Sequence, residues 1–335
     1  MLENDRPLGF GLPMKREWSI ASVTVTRNPG GRLSEHMDAL LHQTRPLNEI
    51  IVIDNASTDG TVDALRRCYP QVTLLPLHTN TGVGAAYASS LTYAVGRKHD
   101  WIWLFDQDSV PAPTALQELL NALTSICEGG NEIGVLASLP VDPGSGTEHI
   151  GLLWRDRLLP IPAESAREPI FFADSVISSG SLIRREVIER VGLPRKDFFI
   201  DFVDHEYNLR IRKVGYRIAM VRASVLYHRL GEVYRVRNFP LGSFRTRSRQ
   251  PTWRHYFMSR NEAFTIWHLF GNARSRAFLL TRFFRRAASI VWYDRDKLAK
   301  LHMHLAGFVD GLAGNLSKRP VSELRRREPT KRSEP

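Results

Sequence analysis

The sequence predicts an α/β fold: a mostly parallel mixed sheet flanked by helices, followed by a C-terminal helical appendage. Three observations predict it. Over residues 19–139, apolar runs of strand length alternate with helically spaced ones. Two of these runs end in carboxylates, Asp54 and Asp106, at the strand ends where parallel sheets bind ligands. Beyond about Trp253 the apolar spacing turns helical and the charge turns basic.

The elements follow in order. "SIASVTVT" (19–26) reads as a buried strand. "LSEHMDALLHQ" (33–43) places Leu33, Met37, Leu40 and Leu41 on one helical face. "EIIVID" (49–54) is a second strand, and the turn "NASTDG" after it offers Ser57, Thr58 or Asp59 as a helix cap. "VTLLPL" (72–77) is a third strand, and "NTGVGAAYASSLTYAV" (80–95) is a glycine-bearing turn feeding a helix. "WIWLF" (101–105) is a fourth strand; residues 133–139 and 171–183 are further ones. Residues 140–170, rich in Pro, Gly and Ser, read as an irregular loop. "DHEYNLRIRKVGYRIAMV" (204–221) reads as a helix stopped at Gly215, then a strand. Residues 229–252 are basic and punctuated by Gly and Pro, as a lid or mobile loop would be. An amphipathic helical region then runs to Leu316, and a charged tail expected to be disordered follows it.

Bulk composition narrows the function classes. A hydrophobic content of 43% supplies a sizeable core. Cys68 and Cys127 are far apart, form no metal-type spacing and suggest a reducing compartment. The N-terminal stretch lacks the apolar core of a signal peptide, and no run of about 18 apolar residues predicts a membrane span. The net charge of +11 is unevenly placed: residues 251–335 hold 17 Lys/Arg and 7 Asp/Glu, a net of +10, leaving +1 for the first 250. An anionic membrane surface, a nucleic acid or a phosphate-bearing substrate would suit that appendage.

Each candidate motif has a bland alternative. "FDQDS" (105–109) ends a buried strand in Asp106 and Asp108. A solvated strand end is one reading. The other is a divalent cation, because carboxylates two apart on an extended segment point to the same side and repel unless neutralised. Mg²⁺ or Mn²⁺ takes oxygen ligands and keeps phosphate oxygens in its shell. "IIVIDNASTDGT" is a common turn sequence by itself. "NTGVGAA" supplies glycines that let backbone approach a ligand, yet neither the G-x-G-x-x-G fingerprint nor a P-loop occurs. Asp201, Asp204 and Glu206 near a helix start are either dipole-favoured caps or include a general base, with Asp204 the best seat. His302 and His304, two apart on a helix, read as solvated or interfacial.

The order and spacing of these motifs say more than any one of them. "IDNASTDG", "NTGVGAA", "DQDS", "SGSLIRR" (179–185) and "DHEYNLRIRKVGY" together resemble glycosyltransferase family 2 with its GT-A fold over residues 19–228. "FDQDS", "FIDFVDHE" and "RHYFMSRN" (254–261) are similar to the rhamnosyltransferase branch. The resemblance implies a GT-A catalytic domain over 17–230, a basic lid over 231–252, a helical region over 253–316 and a tail over 317–335. It implies a nucleotide-sugar site of Thr26, Asn28, Asp54, Asn55, Ser57, Asn80, Gly82, Gly84, Asp106 and Gln107, with Asp54 reading the base and Asp59 in the same turn. Asp106 and Asp108 match the D-x-D pair that holds Mg²⁺ or Mn²⁺, and His228 matches a further metal or phosphate contact. Asp204 matches the general base, with Asp201 and Glu206 on the acceptor side. Two positions depart from the pattern: Val203 stands where a glutamate precedes the base, and Glu206 replaces the more usual aspartate.

The implied activity is inverting transfer of a sugar, best matched by L-rhamnose from dTDP-L-rhamnose, to a saccharide or lipid-linked saccharide. UDP-galactose, UDP-N-acetylglucosamine or another dTDP-sugar is the nearest rival donor. The implied location is the cytoplasmic face of the inner membrane, held peripherally by the Arg- and aromatic-rich stretch 272–293; packing of that helix on the catalytic domain is the alternative. A nucleic-acid partner is not expected, since the basic residues carry no recognisable nucleic-acid motif. A non-catalytic scaffold would have lost its acids, and Asp106, Asp108 and Asp204 are all present.

Overall fold

The computed structural model describes residues 17–128, 132–229, 233–237, 244–248 and 250–317. The first half runs β1 (Ile20–Thr26), α1 (Arg32–Leu41), β2 (Glu49–Asp54), α2 (Thr61–Cys68), β3 (Thr73–Pro76), α3 (Val83–Gly96), β4 (Trp101–Asp106), β5 (Ser109–Pro111), α4 (Ala115–Glu128) and β6 (Ile133–Val141). The second half continues with β7 (Leu152–Trp154), β8 (Leu158–Pro160), β9 (Ile170–Ala173), β10 (Ser181–Arg184), α5 (Arg185–Val191), α6 (Val203–Lys213) and β11 (Arg217–His228). After them come β12 (Val233–Arg237), β13 (Phe244–Ser248), α7 (Thr252–Phe264), α8 (Ala273–Tyr293) and α9 (Lys297–Leu312).

The main sheet has the order β3-β2-β1-β4-β10-β6-β11-β5, with β9 also paired to β11. Strands β3, β2, β1 and β4 are mutually parallel, so their carboxyl ends share one edge. β10 enters antiparallel between β4 and β6. Every residue of β1 is buried, as expected for a strand covered on both faces. In β4 the period of two sorts the side chains. Trp101, Trp103 and Phe105 pack with α1 and α4, while Ile102 and Leu104 pack with α3, α5 and α6.

Three expectations are refined. Residues 171–183 are not continuous strand: β9 and β10 are separated by a turn with Gly180 at φ +81°. The loop 140–170 carries the hairpin β7–β8 and a 3₁₀ turn at Ser165–Arg167. The stretch 229–252 contains the antiparallel pair β12–β13. Strands of three to five residues are too short for periodicity to reveal them. The first 16 residues and the tail 318–335 lie outside the described residues. Among the described residues no helix is long and apolar enough to cross a membrane.

The appendage packs on the catalytic half. Tyr256 and Phe257 of α7 and Met303 of α9 form a cluster with Phe199, and Ala263, Leu279 and Phe308 form another beside Trp154. His304 is interfacial: buried between α9 and α8, it stacks on Phe283 at 4.6 Å and its Nε2 lies 3.2 Å from that residue's carbonyl. His302 is exposed.

Candidate active site

The ends of β1, β2 and β4 open into a cleft of about 870 Å³. Thr26, Asn55, Asn80, Gly82, Asp106, Gln107, Asp108, Asp201, Asp204 and His228 all line it. Residues 202 positions apart in sequence thus meet in one volume.

Local hydrogen bonding explains why each turn holds its shape. The Gln107 side-chain carbonyl accepts from Thr26 Oγ1 at 2.9 Å and from the Arg27 amide at 2.6 Å, tying the D-x-D turn to the end of β1. Asn28, at φ +45°, accepts from the Thr58 amide at 2.8 Å and donates its own amide to Ser57 Oγ at 2.9 Å. Asp54 Oδ2 accepts from the Ser57 amide at 2.9 Å. Its Oδ1 is buried with no partner among the described residues, an acceptor left wanting a donor. Asn55 Oδ1 accepts from the Thr81 amide at 2.8 Å, which fixes the next turn, where Asn80 Oδ1 accepts from the Gly82 amide at 3.1 Å.

Gly82 sits at φ +85°, and a Cβ there would lie 2.5 Å from Phe199. The Val83 amide donates to the Phe199 carbonyl at 2.6 Å. Gly84 does not reach the cleft. A Cβ on it would collide with the carbonyls of Arg195 and Phe198, so this glycine lets the segment before α6 lie flat on α3.

Asp106 Oδ1 accepts from Tyr87 Oη at 2.9 Å. Burial raises the Asp106 carboxyl above its ordinary value; Asp108 and Asp204 raise it further and His228 opposes them. The Tyr87 phenol is pushed well up by burial first and then by the same three acids. A relay runs from the Asp106 amide to Ser179 Oγ at 3.1 Å, from there to Ser109 Oγ at 2.7 Å, and on to His228 Nδ1 at 2.7 Å. "SGSLIRR" therefore acts on the D-x-D turn through Ser179. Beneath it His36 donates Nδ1–H to the Ser109 carbonyl at 2.5 Å and accepts from Thr24 Oγ1 at 2.8 Å.

No group of three His, Cys, Asp or Glu side chains among the described residues is drawn together tightly enough to enclose a metal. The donor set nevertheless fits a hard divalent cation. Asp106 and Asp108 offer carboxylate oxygens and His228 an imidazole; burial, and after it the neighbouring carboxylates, raise Asp106, and a cation would offset both.

Across the cleft, Asp204 lies in the first turn of α6, its Oδ1 accepting the His205 amide at 2.8 Å. It follows two residues in left-handed conformation, Asp201 at φ +62° and Phe202 at φ +64°. Such strain persists only where the surroundings impose it. Asn261 imposes it here by donating to the carbonyls of Ile200 and Asp201, both at 2.9 Å. Arg260, fully buried, donates to the Asp197 carbonyl at 2.7 Å. Asp201 lines the cleft but is engaged by Arg254 through a bidentate pair at 2.8–2.9 Å. Glu206 is not on the acceptor side: its carboxylate is fully buried and pairs bidentately with Arg210 at 2.7 and 3.0 Å. Burial raises its pKa and Arg210 opposes.

Sequence reasoning did not single out Tyr87, His205 or Ser179 as site residues. Arg254 fell within the 229–254 stretch whose arginines were expected to close over the diphosphate, and it is the first residue of "RHYFMSRN". Tyr87 had no such signal, since an aromatic residue in an apolar helix reads as core.

The sequence model of "Glycosyl transferase family 2" matches residues 22–192, half of the chain. The dTDP-rhamnosyl transferase RfbF of Shigella flexneri is 27% identical over 222 residues, 64% of this chain and 70% of that one. The galactofuranosyltransferase GlfT1 of Mycolicibacterium smegmatis is 27% identical over 203 residues, 58% and 66% of the two chains. The N-acetylglucosaminyl-diphospho-decaprenol L-rhamnosyltransferase of Mycobacterium tuberculosis is 27% identical over 241 residues, 62% and 75%. Among solved structures, GalNAc-T7 with UDP, GalNAc and Mn²⁺ superposes with a TM-score of 0.56 at 14% identity, covering 90% of this chain and 58% of its own, which supports the GT-A fold. The chain belongs to glycosyl transferase family 2, as a glycosyltransferase similar to the rhamnosyltransferases of that family.

Proposed function

We propose that the chain transfers L-rhamnose from dTDP-L-rhamnose, with inversion, to a saccharide or lipid-linked saccharide acceptor of cell-surface polysaccharide synthesis. The observation that carries this reading is the meeting of Asp106, Asp108 and Asp204 in one cleft beneath the Asn55 and Asn80 turns. The unpartnered Asp54 Oδ1 suits the ring N–H of a pyrimidine base, which both dTDP and UDP possess. Thr26, Asn28, Asn55, Ser57, Asn80, Gly82 and Gln107 shape the rest of the nucleotide-sugar site. Asp106 and Asp108, with His228, would hold Mg²⁺ or Mn²⁺, which supplies Lewis-acid neutralisation of the diphosphate.

Asp204 accepts the proton of the acceptor hydroxyl as that oxygen attacks the anomeric carbon. The bond from that carbon to the diphosphate breaks, and its electron pair leaves with the nucleoside diphosphate. Base and hydroxyl must come within hydrogen-bond reach, and the first turn of α6 faces Asp204 into the cleft for that purpose. Arg229 and Arg254 also line the cleft, and their charge suits the leaving diphosphate. The outward apolar side chains of α8 and α9 support peripheral membrane association on the cytoplasmic face.

A second donor, a galactofuranose nucleotide, is favoured by the likeness to GlfT1. Thermal-shift titration across nucleotide sugars, with Mg²⁺ and with Mn²⁺, separates the two. A donor at 100 times its Kd stabilises the fold by about 2.7 kcal/mol. Stabilisation by dTDP-L-rhamnose above UDP-sugars supports the proposal. Equal or greater stabilisation by a UDP-sugar overturns the donor assignment.

A further inference from the structure

Tyr87 lines the cleft, yet no step of the proposed reaction uses it. It lies in the second turn of α3 and is 1% exposed, its ring in the buried cluster of Leu91, Leu104 and Ile183. The ring carries a single polar atom, and that atom donates to Asp106 Oδ1 at 2.9 Å. A buried phenol needs an acceptor, and any backbone carbonyl would serve. Here the acceptor is a carboxylate of the D-x-D pair, at the last residue of β4.

This bond makes the two oxygens of Asp106 unequal. Ser179 Oγ holds the residue's amide at 3.1 Å and Tyr87 holds Oδ1, so main chain and side chain are both fixed. Oδ2 has no hydrogen-bond partner among the described residues, and Asp106 lines the cleft. Asp108 lines it too, and its carboxylate makes no hydrogen bond among the described residues. One acid of the pair therefore keeps one oxygen for a cation, and the other keeps two. Divalent cations differ in what they ask of such a pair. Mg²⁺ takes six ligands in near-ideal octahedral geometry at about 2.0–2.1 Å, and Mn²⁺ favours the same octahedral oxygen shell. Ca²⁺ takes six to eight oxygens at about 2.3–2.6 Å and accepts carboxylates through both oxygens.

We infer that Tyr87 is a positioning residue that confines Asp106 to one oxygen towards the cation, and so sets a preference for Mg²⁺ or Mn²⁺ over Ca²⁺. The inference rests on the cation reading proposed above and adds to it a residue and a selectivity. Without the phenolic O–H, Oδ1 is a buried carboxylate oxygen with no donor, which is costly. Turning towards the cation relieves that cost and presents both oxygens, an arrangement that suits Ca²⁺ and crowds an octahedral ion. The rival account has Asp106 merely serving the phenol, and then the bond matters to stability alone.

The test is calorimetric titration of Mg²⁺, Mn²⁺ and Ca²⁺ into the full chain with dTDP and, in parallel, with UDP. Electron paramagnetic resonance of Mn²⁺ counts bound cation independently of sugar transfer. Wild type should bind Mg²⁺ and Mn²⁺ more tightly than Ca²⁺. Tyr87→Phe keeps the ring and loses only the donor. Its affinity for Mg²⁺ and Mn²⁺ should fall about 10–100-fold, the usual cost of removing a hydrogen bond to a metal ligand, while its affinity for Ca²⁺ holds or rises. Tyr93→Phe is the control: it removes a phenol from the same helix whose partner is Glu49, at 3.3 Å, and should alter no cation affinity. A Tyr87→Phe protein that melts earlier but keeps the wild-type affinities, or loses all three cations equally, overturns the inference and leaves the cation reading standing. So does a wild-type preference for Ca²⁺, a result that needs no variant to fold. Absence of any cation-dependent nucleotide binding in wild type overturns the inference and the cation reading together.

Discussion

Replacing Asp204 by Asn tests the base directly. The two side chains have nearly the same shape, and Asn keeps the Oδ1 that accepts the His205 amide at 2.8 Å. That hydrogen bond in the first turn of α6 is therefore kept. Some stabilisation from a negative charge at the helix N-terminus is lost, about 0.3–1 kcal/mol at an exposed site. The three-acid crowd loses one charge, which offsets part of that cost. The fold should thus change by less than about 1 kcal/mol, within reach of a urea titration. Only proton acceptance disappears. A lost general base costs about 10²–10⁴ in rate, or roughly 3–5 kcal/mol of barrier at 1.36 kcal/mol per decade. The assay is single-turnover transfer with saturating donor, alongside donor affinity. Transfer should collapse while donor affinity and cation response persist. Near-normal transfer in Asp204→Asn, with loss in Asp201→Asn, would refute the assignment and point to the residue held by Arg254.

Two further outcomes follow from the same geometry. Asp106→Asn retains the acceptor for Tyr87 Oη but removes half of the D-x-D charge, so the rise in Tm that Mn²⁺ gives with nucleotide should shrink severalfold; an identical rise in wild type and variant would falsify the cation site. Burial lowers the His36 pKa from 6.5 to about 4, so the folded state binds its proton later than the unfolded chain does. Its contribution is complete above pH 6.5 and is lost as pH falls towards 4, an upper figure of roughly 3 kcal/mol at 1.36 kcal/mol per unit. Urea unfolding at pH 7, 5.5 and 4.5 should show this decline in wild type, and a flatter one in His36→Gln.

How much of this was legible in the sequence depended on whether the signal was local. The strand ends at Asp54 and Asp106 were legible because four and five apolar residues before the two carboxylates fix the pleat and therefore the edge. The insertion of β10 between β4 and β6 was not, since pairing order is a tertiary outcome. Glu206 was misassigned by proximity to Asp204. Two residues on along a helix is about 200° of rotation, which turns a side chain away from its neighbour. Arg210, four residues further, was the sequence signal that Glu206 already had a partner. His302 and His304 divide the two readings between them, one solvated and one interfacial. Alternation with His302 correctly placed the two on different faces, but only the fold shows that one face lies on Phe283. Gly84 resembled a ligand-facing glycine, and what it approaches is the protein's own backbone.

The stretch "RHYFMSRN" ties the appendage to the chemistry more closely than a division into domains suggests. Arg254 grips Asp201, Arg260 grips the Asp197 carbonyl, and Asn261 grips Ile200 and Asp201. All three act on the seven residues leading into Asp204, two of which are held in left-handed conformation. A segment strained at 1–3 kcal/mol per residue would relax in isolation. Arg260 in turn needs the Leu316 carbonyl, which it reaches at 3.0 Å, so the end of the helical region reinforces the clamp. The catalytic half thus supplies the acid on α6, and the helical region supplies the backbone restraint that orients it. Asp201, already committed to Arg254, is one end of that restraint, and this explains why an acid so near the proposed base need not bind acceptor.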